Sequence, residues 1–127
     1  MIWALCGYMH SDCTVYKTID LIAKRWSMVI LLEIHKAGGG PKRYTEIKNG
    51  LCDITPKVLS QRLKELEDSG LITKSIDASQ VPIKTEYDLT ESGKELIDVI
   101  KGFKCWALKW KVDNKVCEHL DCSECRI

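Results

Sequence analysis

Apolar residues recur at helical spacings of three and four along the first third of the chain. The first such stretch has a stripe of four members: Val15, Ile19, Ile22 and Trp26. The next stretch, Ser27 to Lys36, is apolar on nearly every side, which is typical of a helix buried in a small core. A run of glycines and Pro41 ends it. This part of the sequence therefore predicts two helices, the second of them central.

Two further helices are predicted on either side of a short turn. Residues 44–51 form a short helix, and 52–54 are a tight connection. Thr55 and Pro56 are a strong helix start, because threonine can cap free amides and proline needs no hydrogen bond at the first helical position. Leu59, Leu63 and Leu66 form the buried stripe of the helix that follows. This order is typical of a helix-turn-helix.

After Gly70 the apolar pattern changes to a period of two, which indicates strands. Residues 71–76 and 83–89 are the two predicted strands, with 77–82 as the tip between them. The second strand alternates an inner face (Ile83, Thr85, Tyr87 and Leu89) with an outer face (Lys84, Glu86 and Asp88). A hairpin directly after a helix-turn-helix predicts a winged helix-turn-helix, mainly α with a small β-hairpin, of the α+β class.

Thr90 is the expected cap of a long last helix that runs to about Asn114. Its apolar stripe is Leu96, Ile100, Phe103, Ala107 and Trp110. Ile97, Trp106 and Leu108 add apolar surface outside that stripe, more than one small domain can cover, so the helix is expected to dimerise. The chain is accordingly divided into an N-terminal arm (1–12), a winged helix-turn-helix domain with its dimerisation helices (13–114) and a cysteine-rich tail (115–127).

Composition narrows the class of protein. The chain has 127 residues, 45% hydrophobic and 29% charged, with a net charge of +1, which suits one globular domain and excludes a uniformly basic DNA-coating protein. Membrane association is not expected, since no segment approaches the ~18 consecutive apolar residues of a membrane span. The apolar N-terminus lacks a basic leader and a cleavage site, so a cytoplasmic location is expected.

The positive charge is concentrated on the predicted helix-turn-helix. Residues 36–64 contain seven basic and two acidic side chains, a net charge of +5, and the remainder of the chain carries −4. A local basic surface is what binding to DNA phosphates requires. The alternative is an ordinary solvated basic face.

The leucine stripe of the second helix of the pair leaves its polar side chains outside. A recognition helix presents its N-terminal residues to the major groove, where Gln61 can pair with adenine and Lys57 with guanine. Arg43 and Lys84 are expected to contact the DNA backbone, whereas Arg62 lies nearer the buried side and is expected to anchor to an acidic residue. The candidate DNA-contacting residues are Thr55, Lys57, Ser60, Gln61, Lys64, Arg43, Lys74 and Lys84.

Seven cysteines are unusual for a chain of this length. The tail contains a cluster of candidate metal ligands: Cys117, His119, Cys122 and Cys125. A Cys-x2-Cys pair can bind zinc, and an iron–sulfur cluster could use the same thiolates with Cys105 as a fourth ligand. Cys6 and Cys13 could also complete a site. The alternatives are a reactive or disordered tail, and a disulfide within the cluster.

Several motifs together resemble the HxlR-type transcriptional regulators, relatives of the MarR group. They are Lys24-x-Trp26, Tyr44-Thr45-Glu46-Ile47, Ser60-Gln61-Arg62-Leu63 and Glu86-Tyr87-x-Leu89-Thr90, within a likeness that covers about residues 13–110. The resemblance implies a dimeric winged-helix regulator that blocks or activates a promoter, often in response to a redox signal. It also places Cys13 where the family often carries a sensing thiol, although a small buried residue is the alternative. The wing differs, since it carries Asp77 and no arginine, so insertion of a wing arginine into the minor groove is not expected.

The expected partners are a second copy of the chain and a palindromic double-stranded operator with half-sites ~10 base pairs apart. An enzyme is not expected, since no nucleophile–base–acid set or phosphate loop is present and His35 fits a packed core position. The remaining alternatives are a winged helix that binds another protein, and a regulator that senses metal through the C-terminal cysteines.

Overall fold

The computed structural model describes residues 13–36 and 38–124. Residues 1–12, which include Cys6 and the predicted N-terminal arm, and Cys125 lie outside the described residues. In chain order the elements are α1 (Thr14–Ala23), α2 (Ser27–His35), β1 (Lys42–Arg43), α3 (Tyr44–Gly50), α4 (Pro56–Asp68), β2 (Ile72–Asp77), β3 (Lys84–Leu89), α5 (Glu91–Trp110) and α6 (Lys115–His119), followed by a single 3-10 turn (Cys122–Glu124).

Helix α2 lies at the centre of the core, as its sequence predicts. Ile30, Leu31 and Ile34 have no exposed surface. They pack in one cluster with apolar residues of α3, α4, the sheet and α5. A helix that is apolar on nearly all sides is stable only where other elements cover it on nearly all sides.

The helix-turn-helix consists of α3 and α4. Thr55 caps α4 by accepting a hydrogen bond from the Val58 amide at 3.2 Å, and Pro56 is its first helical residue. The leucine stripe of α4 is buried. The helix ends at Asp68, and Gly70, just beyond its C-cap, has a φ of 79°, in the left-handed region that glycine adopts without strain. The predicted helix-turn-helix is confirmed.

The sheet is antiparallel, with three strands in the order β1-β3-β2. Strands β2 and β3 form the predicted wing, whereas β1 was not predicted; it pairs Lys42 with Tyr87 and Arg43 with Glu86. The fold class is confirmed, but the two-stranded hairpin is corrected to three strands. A strand of two residues is too short to show a period in the sequence.

The predicted inner face of the second wing strand is only partly correct. Tyr87 and Leu89 are buried, but Ile83 is 62% exposed and precedes the strand. Ile76 and Val81, also near the tip of the wing, are more than half exposed too, so the alternating pattern continues where no core covers it.

The first and last long helices differ from expectation at their ends. Helix α1 stops at Ala23, so Trp26 lies beyond it, and α5 stops at Trp110, not near Asn114. Along α5, Ile97 and Ile100 are buried, whereas Phe103, Trp106 and Trp110 are at least half exposed. None of the described residues of α1 is buried. Both helices therefore present apolar faces that this protomer does not cover.

The segment after α5 packs back onto the domain. The Lys104 ammonium donates a hydrogen bond to the Leu120 carbonyl at 2.6 Å, and Lys101 pairs with Asp121 at 2.9 Å. The 3-10 turn that follows lies against α2. In the described part of the chain, no helix combines the length and the apolar character needed to cross a membrane.

Candidate nucleic-acid interface

The outer side of α4 is exposed along its N-terminal half. Lys57, Ser60, Gln61 and Lys64 all have exposed side chains. Thr55 is exposed too, but its hydroxyl oxygen is engaged by the cap of α4, which leaves the hydroxyl hydrogen available for a phosphate oxygen. A helix presented in this way can enter a major groove without rearranging the core.

A cleft of about 550 Å³ lies between α4 and the sheet. Five of the eight candidate DNA-contacting residues line it: Arg43, Ser60, Lys64, Lys74 and Lys84. Four of these are cationic, and they come from four different elements, namely β1, α4, β2 and β3. Thr55, Lys57 and Gln61 do not line the cleft. The structure therefore divides the predicted set into a cationic cleft and an exposed helix surface beside it.

The wing contributes less positive charge than its sequence suggests. Lys84 is half-buried and pairs with Glu86 at 3.4 Å, whereas Lys74 is exposed. At the tip, hydrogen bonds from Ser79 hold the pKa of Asp77 below its usual value, and Lys84 lowers it further. A fixed negative charge at the tip would repel phosphates, in agreement with the argument against minor-groove insertion.

Tyr44 and Thr45 also line the cleft, and sequence analysis assigned neither to the interface. The Tyr44 hydroxyl lies 3.4 Å from the Pro56 carbonyl oxygen and 3.5 Å from the Ser60 hydroxyl. Tyr44 thus joins the start of α3 to the start of α4. Its three-residue spacing from the buried Ile47 indicates packing, and only the fold shows that its hydroxyl reaches the recognition helix.

Arg62 anchors α4 internally, as predicted. Its guanidinium pairs with Glu65 at 3.1 Å and donates a second hydrogen bond, at 3.3 Å, to the backbone carbonyl of Arg25. Glu65 also pairs with Lys24 at 3.4 Å. These contacts join α4 to the chain between α1 and α2.

His35 is a packed residue, as predicted. Its Nε2 atom is buried and has no hydrogen-bond partner within the described residues. Burial lowers the pKa of His35, and the positive charge of Lys101 lowers it further. Both effects favour the neutral imidazole over the protonated one.

The cysteines lie in separate surroundings. Cys13 is half-buried at the N-terminus of α1. Cys117 and Cys122 line one apolar cavity of about 480 Å³ between α2, α5 and the C-terminal segment, whereas His119 is exposed. Among the described residues, no three His, Cys, Asp or Glu side chains are grouped so that they could hold a metal ion, and Cys125 is not one of the residues described.

Comparison with known proteins agrees with this geometry. The HxlR-like helix-turn-helix family matches residues 21–115. The chain is 36% identical over 116 residues to the HTH-type transcriptional regulator YodB of Bacillus subtilis (strain 168), a match that covers 91% of this chain and 95% of that protein. The structure of reduced YodB is similar with a TM-score of 0.66 at 30% identity, and the match covers 81% of this chain and 98% of that one.

Two further solved structures are similar. The redox regulator HypR in its oxidized form has a TM-score of 0.67 at 32% identity, with 79% of this chain and 99% of that chain covered. A protein from Porphyromonas gingivalis W83 that is assigned to the MarR family has a TM-score of 0.70 at 29% identity, with 78% and 93% covered. The chain thus belongs to the HxlR-like helix-turn-helix family and is a DNA-binding transcriptional regulator.

Proposed function

We propose that this regulator binds a palindromic operator as a homodimer and that oxidation of Cys13 changes its affinity for that operator. The observation that carries the DNA part is the cationic cleft beside the exposed face of α4. Four cations from separate segments meet at one cleft although the whole chain is almost neutral. Such a local concentration of charge suits a phosphate backbone.

Two sets of residues would divide the work of DNA recognition. Gln61 and Lys57 would reach base edges in the major groove, with Ser60 and Thr55 at the N-terminal end of α4. Arg43, Lys64, Lys74 and Lys84 would contact phosphates and so set the position of the protein on the duplex. Lys84 would contribute least, because Glu86 already neutralises much of its charge.

The exposed apolar faces of α1 and α5 support a homodimer. Phe103 and Trp106 stack with their ring centroids 6.1 Å apart on a surface open to solvent. Contiguous exposed apolar surface on a small protein commonly marks an interface with another molecule. A two-fold axis through α5 would place two copies of α4 on successive major grooves.

The position of Cys13 supports a thiol response. Cys13 immediately precedes α1. Two similar regulators have been solved in defined redox states, YodB in its reduced form and the redox regulator HypR in its oxidized form. In the proposed step, Cys13 and a thiol of the partner subunit lose two protons and two electrons to hydrogen peroxide, which leaves as two water molecules. The new disulfide would move α1 relative to its partner. A protein with this role would act in the cytoplasm with the DNA, and we assign it no catalytic group.

A regulator that senses zinc or an iron–sulfur cluster is the second candidate. Cys117 and Cys122 line one cavity, whereas His119 is exposed to solvent. A metal ion in that cavity would therefore be bound by thiolates and not by His119. Cys125 would have to complete the set. Elemental analysis of anaerobically purified protein tests this role, and absence of stoichiometric zinc and iron would exclude it.

Selection of bound duplexes from random DNA tests the main proposal. Reduced wild-type protein should enrich a palindrome with half-sites ~10 base pairs apart. Peroxide should change the affinity for that sequence in the wild type and not in Cys13→Ser. Failure to enrich any sequence would exclude a base-reading α4, and an equal peroxide response in both proteins would exclude Cys13 as the sensor.

A further inference from the structure

The side of α4 that faces away from the cleft is attached to the corner between α1 and α2. We define the α1–α2 corner as residues 24–26. Lys24 pairs with Glu65 at 3.4 Å, and the Arg62 guanidinium donates to the Arg25 carbonyl at 3.3 Å. Arg62 and Glu65 also pair with each other at 3.1 Å, so the contacts form one connected group.

The α1–α2 corner is well suited to hold α4. Trp26 has a φ of 85°, a left-handed conformation that a tryptophan keeps only when its surroundings enforce it. The Arg25 guanidinium lies 4.9 Å from the centre of the Trp26 ring, and the next residue, Ser27, is 2% exposed and donates its amide to the Lys24 carbonyl. These contacts fix the direction of the Arg25 carbonyl.

Helix α4 is therefore held on two sides. Tyr44 contacts its N-terminal end at Pro56 and Ser60, and the α1–α2 corner contacts it at Arg62 and Glu65. Successive residues of a helix are about 100° apart around its axis. Gln61 lies between Ser60 and Arg62, so the two attachments set the direction in which Gln61 points.

The same corner connects α4 to α1, the helix that Cys13 precedes. Cys13 and Lys24 flank the ten residues of α1, a helix of about 15 Å. None of the described residues of α1 is buried, so α1 can shift as a body without opening the core. Any shift displaces Lys24 and Arg25, and through them Glu65 and Arg62.

We propose that Arg62 and Glu65 are positioning residues that hold α4 on the α1–α2 corner and make its reading of DNA depend on the position of α1. The second half of this proposal rests on the proposed thiol response. The first half does not, because it concerns the reduced protein alone.

The test compares affinities for the selected operator and for an unrelated duplex of equal length. Loss of charge weakens both affinities together, since non-specific binding depends on phosphate contacts, whereas a misplaced α4 weakens only the operator affinity. The ratio of the two affinities therefore separates positioning from charge. Lys94→Met is the matched control, because Lys94 forms an ion pair of the same 3.4 Å length with Glu91 on α5.

In reduced protein, Arg62→Met should lower the operator-to-unrelated affinity ratio about tenfold, since it removes both the ion pair with Glu65 and the charge-assisted hydrogen bond to the Arg25 carbonyl. Lys24→Met and Glu65→Gln should each lower it about threefold, in keeping with a half-exposed ion pair. Their double variant should lose no more than Glu65→Gln alone, because the Lys24–Glu65 ion pair is already lost in Glu65→Gln. Lys94→Met should leave the ratio unchanged.

The positioning role would be overturned if the ratio of operator affinity to unrelated-duplex affinity in Arg62→Met lay within about twofold of that in Lys94→Met. If Arg62→Met does not fold in a thermal melt, Lys24→Met decides in the same way, because Lys24 is half exposed and lies outside α4. Additive losses in the double variant would also contradict a shared contact.

Oxidation distinguishes the two proposals. If peroxide leaves the operator affinity of the wild type unchanged, the thiol response and the dependence on α1 both fail, while the ratio in reduced protein still decides the positioning role. If the wild type responds, Arg62→Met should respond by a clearly smaller factor. A response equal to that of the wild type would overturn the connection between α1 and α4.

Discussion

Three consecutive residues of α4 show how neighbouring side chains take different roles. Ser60 lies at the cleft beside Tyr44, Arg62 reaches back to the α1–α2 corner, and Gln61 between them is exposed. The leucine spacing alone places Arg62 near the buried side and Gln61 outside. The partner of Arg62 could not be predicted in the same way, because the Arg25 carbonyl lies 37 residues away and is positioned only by the folded corner.

The exposed amide of Gln61 gives a prediction about base reading. Gln61→Ala should weaken operator binding by about 1–3 kcal/mol, the range for one bidentate contact with a base, while binding to unrelated DNA should stay within about twofold. Fluorescence anisotropy with both duplexes measures the difference. Gln80→Ala is the control, since Gln80 lies at the wing tip and its amide donates to Asp77. Equal losses on both duplexes would show that Gln61 does not read bases.

His35 gives a prediction about pH. Burial lowers its pKa in the folded protein, and Lys101 and Lys42 act in the same direction, against Asp121 and Asp98. The unfolded state, with a pKa near 6.5, therefore binds a proton more readily than the folded state. Stability should fall as the pH drops below about 6.5 and should stop falling once the pH is below the folded-state pKa.

Thermal melts at pH 7.5 and pH 5.5 test this expectation. The loss of thermal stability from pH 7.5 to pH 5.5 should be smaller in His35→Gln than in the wild type, because glutamine does not titrate. Asp121 does not interfere, since hydrogen bonds from Ser123 and Lys101 lower its pKa and keep it ionised in this range. An identical loss in both proteins would show that His35 is not responsible.

At the scale of elements, a helix or strand could be predicted from the sequence when it was long enough to show a periodic pattern and packed against the core. Helices α2 and α4 were predicted because each places several apolar residues against the core at a regular spacing. Strand β1 was missed because two residues have no period; it forms where the edge of β3 offers free backbone groups at Glu86 and Tyr87. Only some of the residues that line the cationic cleft were predicted from the sequence. Tyr44 and Thr45 were not among them, because their positions depend on this same sheet.

The start of α5 gives a prediction about close packing. A Cβ atom on Gly93 would overlap the Leu71 carbonyl oxygen, which also accepts the amide of Thr90 at 3.1 Å. Gly93→Ala should therefore destabilise the protein by about 1–3 kcal/mol, as overpacking does. Gly102→Ala in the same helix should stabilise it by about 0.5–1 kcal/mol, because nothing lies within 4 Å of its Cβ position. Urea denaturation measures both. A loss at Gly102 as large as that at Gly93 would contradict this explanation.

At the scale of the whole molecule, the dominant feature is the uncovered apolar surface of α1 and α5. The second half of α5 carries exposed aromatic side chains, and α1 adds Val15 and Tyr16. The sequence predicts this surface, because the apolar positions of α5 exceed what one small domain can bury. What covers it could not be predicted in detail, because the register between two subunits depends on contacts that no single chain contains.

The proposed dimer gives a prediction about assembly. Wild-type protein at micromolar concentration should have the mass of a dimer by light scattering. Trp106→Glu should raise the dimer dissociation constant at least about thirtyfold, as loss of an interface aromatic does, and should weaken operator binding with it. Ile76→Glu is the control, since Ile76 is 62% exposed on the wing and should leave the mass unchanged. A monomeric wild type would contradict the dimer.

The absence of any buried residue among those described in α1 has a consequence for how the regulator behaves at low abundance. A ten-residue helix is marginal in water on its own, so α1 needs an outside surface to be fully formed. If the partner subunit supplies that surface, the order of α1 follows mass action and rises with the concentration of the protein. We therefore expect amide hydrogens of α1 to exchange faster as the protein is diluted, while those of α2 stay protected. A cell would then obtain an operator-competent regulator only above a threshold number of copies.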